Sequence, residues 1–251
     1  MRVCVFCGSS MGNDERYQEA AAQLGEVLAQ HDCTLYYGGA NVGLMKIIAD
    51  KMIERGKDVV GIIPKLITEM EIAHEGVTKM IKVDSMSERK LMLIEDADAF
   101  IAMPGGFGTL DELFEVVVLN QLRVTDKPVA LYNTLNYYDK LIDFIDHAVS
   151  QGFISHEHRD NIIVSDNPEL FFKELQRILE MVRDQLLERL EVQSRKQVKN
   201  FPFLMGQGVW IDSEKLSWES EVREVIKHGT LSIGFIGLAE TLVVLTGKHH
   251  G

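Results

Sequence analysis

The run Pro104-Gly105-Gly106-Phe107-Gly108-Thr109-Leu110-Asp111-Glu112 holds the residues best suited to chemistry in this chain. It follows the apolar stretch Ala99–Met103 and leads into helical periodicity from Leu113 to Leu122. A buried strand, a glycine-rich turn and a helix start together make a cradle for phosphate. Glycines let the backbone approach an anion closely, and the first N–H groups of a helix have no partner within it. Glu112 falls on the first turn of that helix. Thr109-x-x-Glu112 fits a capping box, with Thr109 as the cap and Glu112 reaching back to its N–H. A carboxylate beside bound phosphate also suits chemistry on whatever the phosphate carries. Spacing leaves both readings of Glu112 open. The turn is not a P-loop, because no Gly-Lys-Ser/Thr follows, and no G-x-G-x-x-G follows the first strand.

Two more small-residue turns have the same character, Cys7-Gly8-Ser9-Ser10 and Gly38-Gly39-Ala40-Asn41-Val42-Gly43. Arg89 and Lys90 supply cations that an anionic ligand would want, although a surface pairing of Arg89 with Glu88 or Asp84 is the plainer reading. Asp111 and Glu115 read as solvated or dipole-complementing groups. Glu71 stands as a loop carboxylate and Asn41 as a shaper of its turn. Met45, Met52, Met86 and Met92 read as core filler. Cys4 and Cys7 form a C-x-x-C, but Cys4 lies inside an apolar run and alternation sends the two thiols to opposite faces, so structural cysteines are expected rather than redox chemistry. The eight histidines are scattered in no metal-ligand pattern.

These residues need a scaffold, and the sequence supplies one. Short apolar runs at Val3–Phe6, Thr34–Tyr37, Asp58–Ile63, Lys79–Val83, Ala99–Met103, Pro128–Tyr132 and Ile162–Ser165 alternate with amphipathic segments. That is the signature of βαβ units and a parallel sheet. Ser85-Met86-Ser87-Glu88 fits a capping box that opens a helix to about Glu95, and Gly56 closes an earlier one. Tyr138–Ser150 and the residues from Pro168 onward read as helices, and Lys65 to Gly76 as a loop or short helical excursion. Ligands of open α/β sheets sit beyond the C-terminal ends of the strands. All three glycine turns fall at that edge, where Ser9 and Gly39 would join the Gly105–Thr109 cradle around one ligand.

The net charge of −12 argues against a nucleic-acid partner. Met1-Arg2 leads straight into a strand, and no uncharged run approaches the ~20 residues that span a bilayer, so a cytoplasmic protein without membrane contact is expected. The acidity is uneven. Residues 1–181 hold 17 Lys+Arg and 29 Asp+Glu, whereas residues 182–251 hold 9 of each. The expected division is therefore an α/β domain over 1–181, carrying the three glycine turns, and a separate segment over 182–251.

Taken together, the turns at Cys7–Ser10 and Gly38–Gly43 with Leu44-Met45, the segment Met86-Ser87-Glu88-Arg89-Lys90, and Pro104 through Glu112 resemble the Lonely Guy family. These are cytokinin riboside 5′-monophosphate phosphoribohydrolases, often labelled lysine decarboxylases. The resemblance covers about residues 1–181. It implies an α/β, Rossmann-like parallel sheet sandwiched by helices, a homodimer and no cofactor. It implies hydrolysis of the N-glycosidic bond of a purine or cytokinin-type nucleoside 5′-monophosphate to free base and ribose 5-phosphate. By position it implies Arg89 and Glu112 as the catalytic pair, and Lys90, Glu71 and the turn Gly105, Gly106, Phe107, Gly108, Thr109 as substrate contacts. No lysine is marked for pyridoxal phosphate, which disfavours decarboxylation. Ser87 stands where the family often has His, and Lys46 where it often has Gly. Molybdenum-cofactor carriers, which share the fold and a similar turn, are the alternative, disfavoured by the Arg89–Glu112 pair.

The segment from Leu187 to Trp210, with Lys227–Glu240 and Thr246–Gly251, resembles an internal piece of an anaerobic (class III) ribonucleoside-triphosphate reductase. It contains no cysteine. It therefore lacks the thiols that enzyme's chemistry requires and is expected neither to act alone nor to fold into a well-defined structure of its own.

Overall fold

The computed structural model describes residues 1–68, 73–203, 207 and 212–226. The expected alternation is present. The strands are β1 (Arg2–Phe6), β2 (Thr34–Tyr37), β3 (Val59–Pro64), β4 (Lys79–Val83), β5 (Ala99–Ala102), β6 (Val129–Tyr132) and β7 (Ile162–Ser165). Between them run α1 (Arg16–Gln30), α2 (Gly43–Glu54), the short α3 (Lys65–Thr68), α4 (Met86–Asp96), α5 (Phe107–Gln121), α6 (Asp139–Ser150) and the unanticipated short α7 (His156–Asp160). Helix α8 (Pro168–Ser194) follows β7, and α9 (Arg223–Ile226) comes last among the described residues.

All seven strands join one parallel sheet in the order β4-β3-β2-β1-β5-β6-β7. Strands β1, β3, β5 and β6 are buried along almost their whole length, which explains their continuous apolar runs: helices cover both faces. One face packs Val3, Val5 and Cys7 against α1, α2 and the start of α8; the other packs Cys4 and Phe6 against α4, α5 and α6. Cys4 and Cys7 thus lie on opposite faces, as alternation requires, and burial pushes both thiols up from their ordinary range.

The order of the sheet fixes where a ligand can go. β1 pairs with β2 on one side and β5 on the other, so the connections leaving these strands diverge and open a crevice between their C-terminal ends. The turns Cys7–Ser10 and Pro104–Gly106 flank that crevice.

The described chain separates into two compact units, one over Met1–Lys173 and one beginning at Glu174. In the second, an isolated antiparallel bridge joins Gln197 to Glu221, and Val198, Val222 and Val225 form a small apolar cluster. Glu191 holds Arg223 through two hydrogen bonds of 2.7 and 2.9 Å and also pairs with Arg195. Most of the stretch compared with the reductase, including 227–251, lies outside the described residues.

Candidate active site

The three glycine turns meet. Gly8 N–H donates to Pro104 O at 3.0 Å, and Leu44 N–H, at the start of α2, donates to Gly8 O at 3.1 Å. Gly43 has φ +57°, and a Cβ there would run into the backbone of Ser9, so only glycine lets the second turn close on the first. Ser9 and Gly39 are thereby brought to the same sheet edge as the third turn.

That third turn opens α5, with Gly106 as the N-cap in an extended conformation. Thr109 is therefore not the cap. It sits buried in the first turn, packed so closely on Gly105 that a Cβ there would collide with its side chain. Among the described residues, the N–H groups of Gly105, Gly106, Phe107, Gly108 and Thr109 meet no acceptor. They form the cradle expected at a helix start.

With the cap elsewhere, the capping role foreseen for Glu112 falls away. Glu112 Oε1 instead lies 2.8 Å from Arg89 Nη2, an ion pair across two helices. Both side chains are nearly enclosed, Arg89 at 12% exposure and Glu112 at 8%. Arg89 reaches this position from the first turns of α4. Ser85 caps that helix by accepting from Glu88 N–H, while Glu88 turns back to Asp84 N–H rather than to Ser85. Asp84 is held by Lys65. Neither carboxylate takes Arg89, so the surface pairing is not the one that forms. Gly38 leaves the space the guanidinium occupies: a Cβ there would strike Arg89 Nη2. Among the described residues Arg89 Nε is buried without a hydrogen-bond partner, and Nη1 donates to Met86 Sδ at 3.8 Å. Met86 is itself exposed, contrary to its expected place in the core.

Burial raises the Glu112 carboxyl above its ordinary range, Arg89 pulls it back, and Asp111 and Glu115 add to the rise. The group keeps a net upward shift despite its ion pair.

Lys90 points elsewhere. Its Nζ lies 3.1 Å from Asp111 and 2.5 Å from Glu115, along α5, so these two acids are paired rather than merely solvated. Their hold raises the Lys90 ammonium. Phe107 is 93% exposed at the mouth of the turn. Glu71 lies outside the described residues. Lys46, at the departure from the family pattern, pairs with Asp50, which also meets His74 Nε2 at 2.9 Å.

Comparison with known proteins supplies what geometry cannot. A family model described as "Possible lysine decarboxylase" matches residues 45–175. A probable cytokinin riboside 5′-monophosphate phosphoribohydrolase of Oryza sativa subsp. japonica is 40% identical over 220 residues, 88% of this chain and 77% of the relative. A cytokinin riboside 5′-monophosphate phosphoribohydrolase of Arabidopsis thaliana is 46% identical over 170 residues, 67% of this chain and 80% of the relative. The chain belongs to this phosphoribohydrolase family. Residues 159–251 also match a second family model, "Anaerobic ribonucleoside-triphosphate reductase", whose reach begins upstream of the boundary expected from charge. Among solved structures, the molybdenum cofactor binding protein of Rippkaea orientalis has a TM-score of 0.52 at 23% identity, covering 71% of this chain and 96% of its own. The Moco carrier protein of Chlamydomonas reinhardtii has a TM-score of 0.53 at 20% identity, covering 72% and 98%. At such identities the likeness is one of fold.

Seen as a family member, the chain shows supporting residues that its motifs did not mark. Gly38 gives Arg89 its room. Tyr138 Oη donates to Met103 O at 2.5 Å and Tyr137 Oη to Gly105 O at 2.6 Å, both from the connection between β6 and α6. The available signal was two adjacent tyrosines just past a strand end, at the edge where the glycine turns lie.

Proposed function

We propose that this chain hydrolyses the N-glycosidic bond of a purine or cytokinin-type nucleoside 5′-monophosphate, releasing free base and ribose 5-phosphate. The observation that carries the reading is the enclosed Arg89–Glu112 pair beside a row of backbone N–H groups that meet no acceptor among the described residues. Burying an ion pair is costly, and one placed at the crevice of an α/β sheet points to function more than to stability. The names of the curated relatives point to the same reaction.

In this reading the 5′-phosphate docks on the N–H groups of Gly105 to Thr109 and on the positive end of α5. That anchors the ribose at the neighbouring Glu112. Cleavage of an N-glycosidic bond passes through an oxocarbenium-like state, and the ionised Glu112 stabilises that cation or orients the attacking water. Arg89 holds the carboxylate in place and offers its unpartnered Nε–H to a substrate oxygen. Ser9 and Gly39 bound the pocket from the other turns. Lys90 contributes by holding Asp111 and Glu115 away from the phosphate, unless substrate draws it across.

The working unit we propose is a cytoplasmic homodimer. α5 displays Phe107, Phe114 and Val118 to solvent, continued by Leu122 at its C-cap, while its other side packs on the sheet. A second copy would cover that stripe. Among the described residues, no helix is long and apolar enough to cross a membrane.

The deciding experiment is a chromatographic screen for base release across nucleoside 5′-monophosphates, with the matching nucleosides as controls. Free base and ribose 5-phosphate in equal amounts, from the monophosphate alone, are the expected result. Silence across the whole panel would remove the assignment.

A further inference from the structure

The three carbonyls that precede α5 are all taken. Met103 O accepts from Tyr138 Oη at 2.5 Å, Pro104 O from Gly8 N–H at 3.0 Å, and Gly105 O from Tyr137 Oη at 2.6 Å. Two of these bonds have ready explanations. Tyr138 is fully buried, so its hydroxyl needs a partner inside the protein. The Gly8–Pro104 bond joins two turns. The Tyr137 bond has no such explanation, because the side chain is 43% exposed and water would serve its hydroxyl equally well.

What that bond does is fix a plane. In a trans peptide the carbonyl and the following N–H point in opposite directions. Holding Gly105 O against Tyr137 therefore fixes the aim of the Gly106 N–H, on the far side of the same peptide. Gly106 is the N-cap of α5, flanked by glycine and without a side chain to restrain it, and its N–H meets no acceptor among the described residues. A glycine peptide at this position would otherwise rotate freely.

The segment that delivers Tyr137 is strained. Leu135 and Asn136 both adopt left-handed conformations, at φ 54° and 57°. Asparagine tolerates this region and leucine does not. Asn133 braces the turn, accepting from Tyr138 N–H at 2.7 Å and donating to Asp139 at 2.8 Å. The Tyr137 ring stands edge-on to Tyr138 and Tyr17, with centroids 5.0 and 6.0 Å away. Strain of this kind persists only where the surroundings impose it, and it clusters at working sites.

We propose that Tyr137 is a positioning residue for the anion cradle: its hydroxyl pre-sets the Gly105–Gly106 peptide so that the Gly106 N–H is aimed before phosphate arrives. The proposal rests on the phosphoribohydrolase reading for the identity of the anion, and it adds a residue that neither the motif nor the ion pair includes.

The test uses full-length Tyr137→Phe, which keeps the ring and removes one hydroxyl. Steady-state kinetics on the 5′-monophosphate would be run with inorganic phosphate and with free base as separate inhibitors. The expected result is inhibition by phosphate weakened about 5–10-fold and KM raised in step, the loss of roughly one oriented hydrogen bond. Both kcat and inhibition by free base should stay within about twofold, because Glu112 and Arg89 are untouched. Unchanged phosphate inhibition overturns the proposal. So does equal weakening toward phosphate and base, which reports a general loosening rather than an aimed N–H. If wild type releases base from no monophosphate, the functional reading fails, and direct titration of inorganic phosphate onto both proteins then decides this one. Tighter binding by wild type sustains it; equal affinity, or none, ends it.

Discussion

Two arginine–carboxylate pairs in this molecule have nearly the same length and different surroundings. Arg89 meets Glu112 at 2.8 Å with 12% and 8% of the side chains exposed; Arg223 meets Glu191 at 2.7 Å with 47% and 43% exposed. The second is the better-made bond, since Glu191 takes two donors from Arg223 and another from Arg195. Its carboxyl is accordingly pulled down to about 2, first by Arg223 and then by Arg195. The Glu112 carboxyl is pushed up instead, because burial outweighs its single arginine contact. Bond length does not distinguish the two. Solvent does: the exposed pair joins two segments and is screened, whereas the enclosed pair holds a carboxylate in an environment that penalises its charge. A carboxylate held that way is poised to stabilise a cation.

Breaking each pair at the acid should separate them most widely. Glu112→Gln keeps the shape and removes the charge, and base release is expected to fall by about 10²–10³, the scale of losing one electrostatic stabiliser of a transition state. Glu191→Gln should leave turnover unchanged. If the two variants release base at the same rate, Glu112 is not the catalytic carboxylate.

Breaking them at the arginine tests energetics. Arg89→Gln leaves Glu112 buried without its cation, and removing one partner of a buried pair costs about 3–5 kcal/mol. The sign with pH follows from the shift. Without Arg89 the folded-state Glu112 rises further above its unfolded value, so the folded protein holds the proton over a wider range. The variant's deficit should therefore vanish below the ordinary carboxylate range and grow as pH rises through the raised value. Melting temperatures of Arg89→Gln and wild type measured from acid to neutral pH should diverge upward; parallel curves would show that Glu112 carries no charge in the folded protein. Catalysis gives the mirror image. The acid limb of kcat/KM in wild type should lie above the ordinary carboxylate range, because the role proposed for Glu112 requires its ionised form.

Gly38 sharpens the comparison further, because among the described residues no glycine makes room for Arg223. Gly38→Ala places a methyl group where Arg89 Nη2 now lies. The guanidinium must move, and turnover should drop about tenfold or more, since small misplacements of catalytic groups are costly. An alanine variant with wild-type kcat would show that the exact seat of Arg89 is unimportant.

Much of this was legible in the chain, and the parts that were not share a cause. All seven strands were marked, and β1, β3, β5 and β6 most plainly, because helices bury both of their faces and leave continuous apolar runs. The three glycine turns could be placed at one edge because parallel connections put every strand's C-terminal end on the same side. Spacing along a helix could not choose between Glu112 as cap and Glu112 as partner of Arg89, because that choice depends on how α4 crosses α5. The same holds for Lys90, whose partners Asp111 and Glu115 lie on the neighbouring helix, and for Met86, exposed despite its apolar side chain. Tyr137 and Tyr138 were missed for a related reason: their work is done on carbonyls more than thirty residues away. Local pattern reports what each element is made of, and contacts between elements assign the roles.

The smallest expected effect concerns the second unit as a whole. Its described apolar cluster is Val198, Val222 and Val225, with Phe201 and Leu216 beside it. The groups placed at the candidate site, from Ser9 to Thr109 and Glu112, all belong to the described part of the first unit, Met1–Lys173, and so do Gly38 and Tyr137. Removing residues 183–251 leaves the sheet, α1 to α7 and the opening turns of α8, where Phe171 and Phe172 pack into the core and Glu169 meets His31 at 3.1 Å. The truncated protein should keep kcat and KM within about twofold of full length, since none of the proposed catalytic contacts is removed. A loss of activity with the melting temperature intact would give the reductase-like segment a part in the reaction. It would also overturn the division drawn between the enclosed pair and the exposed one.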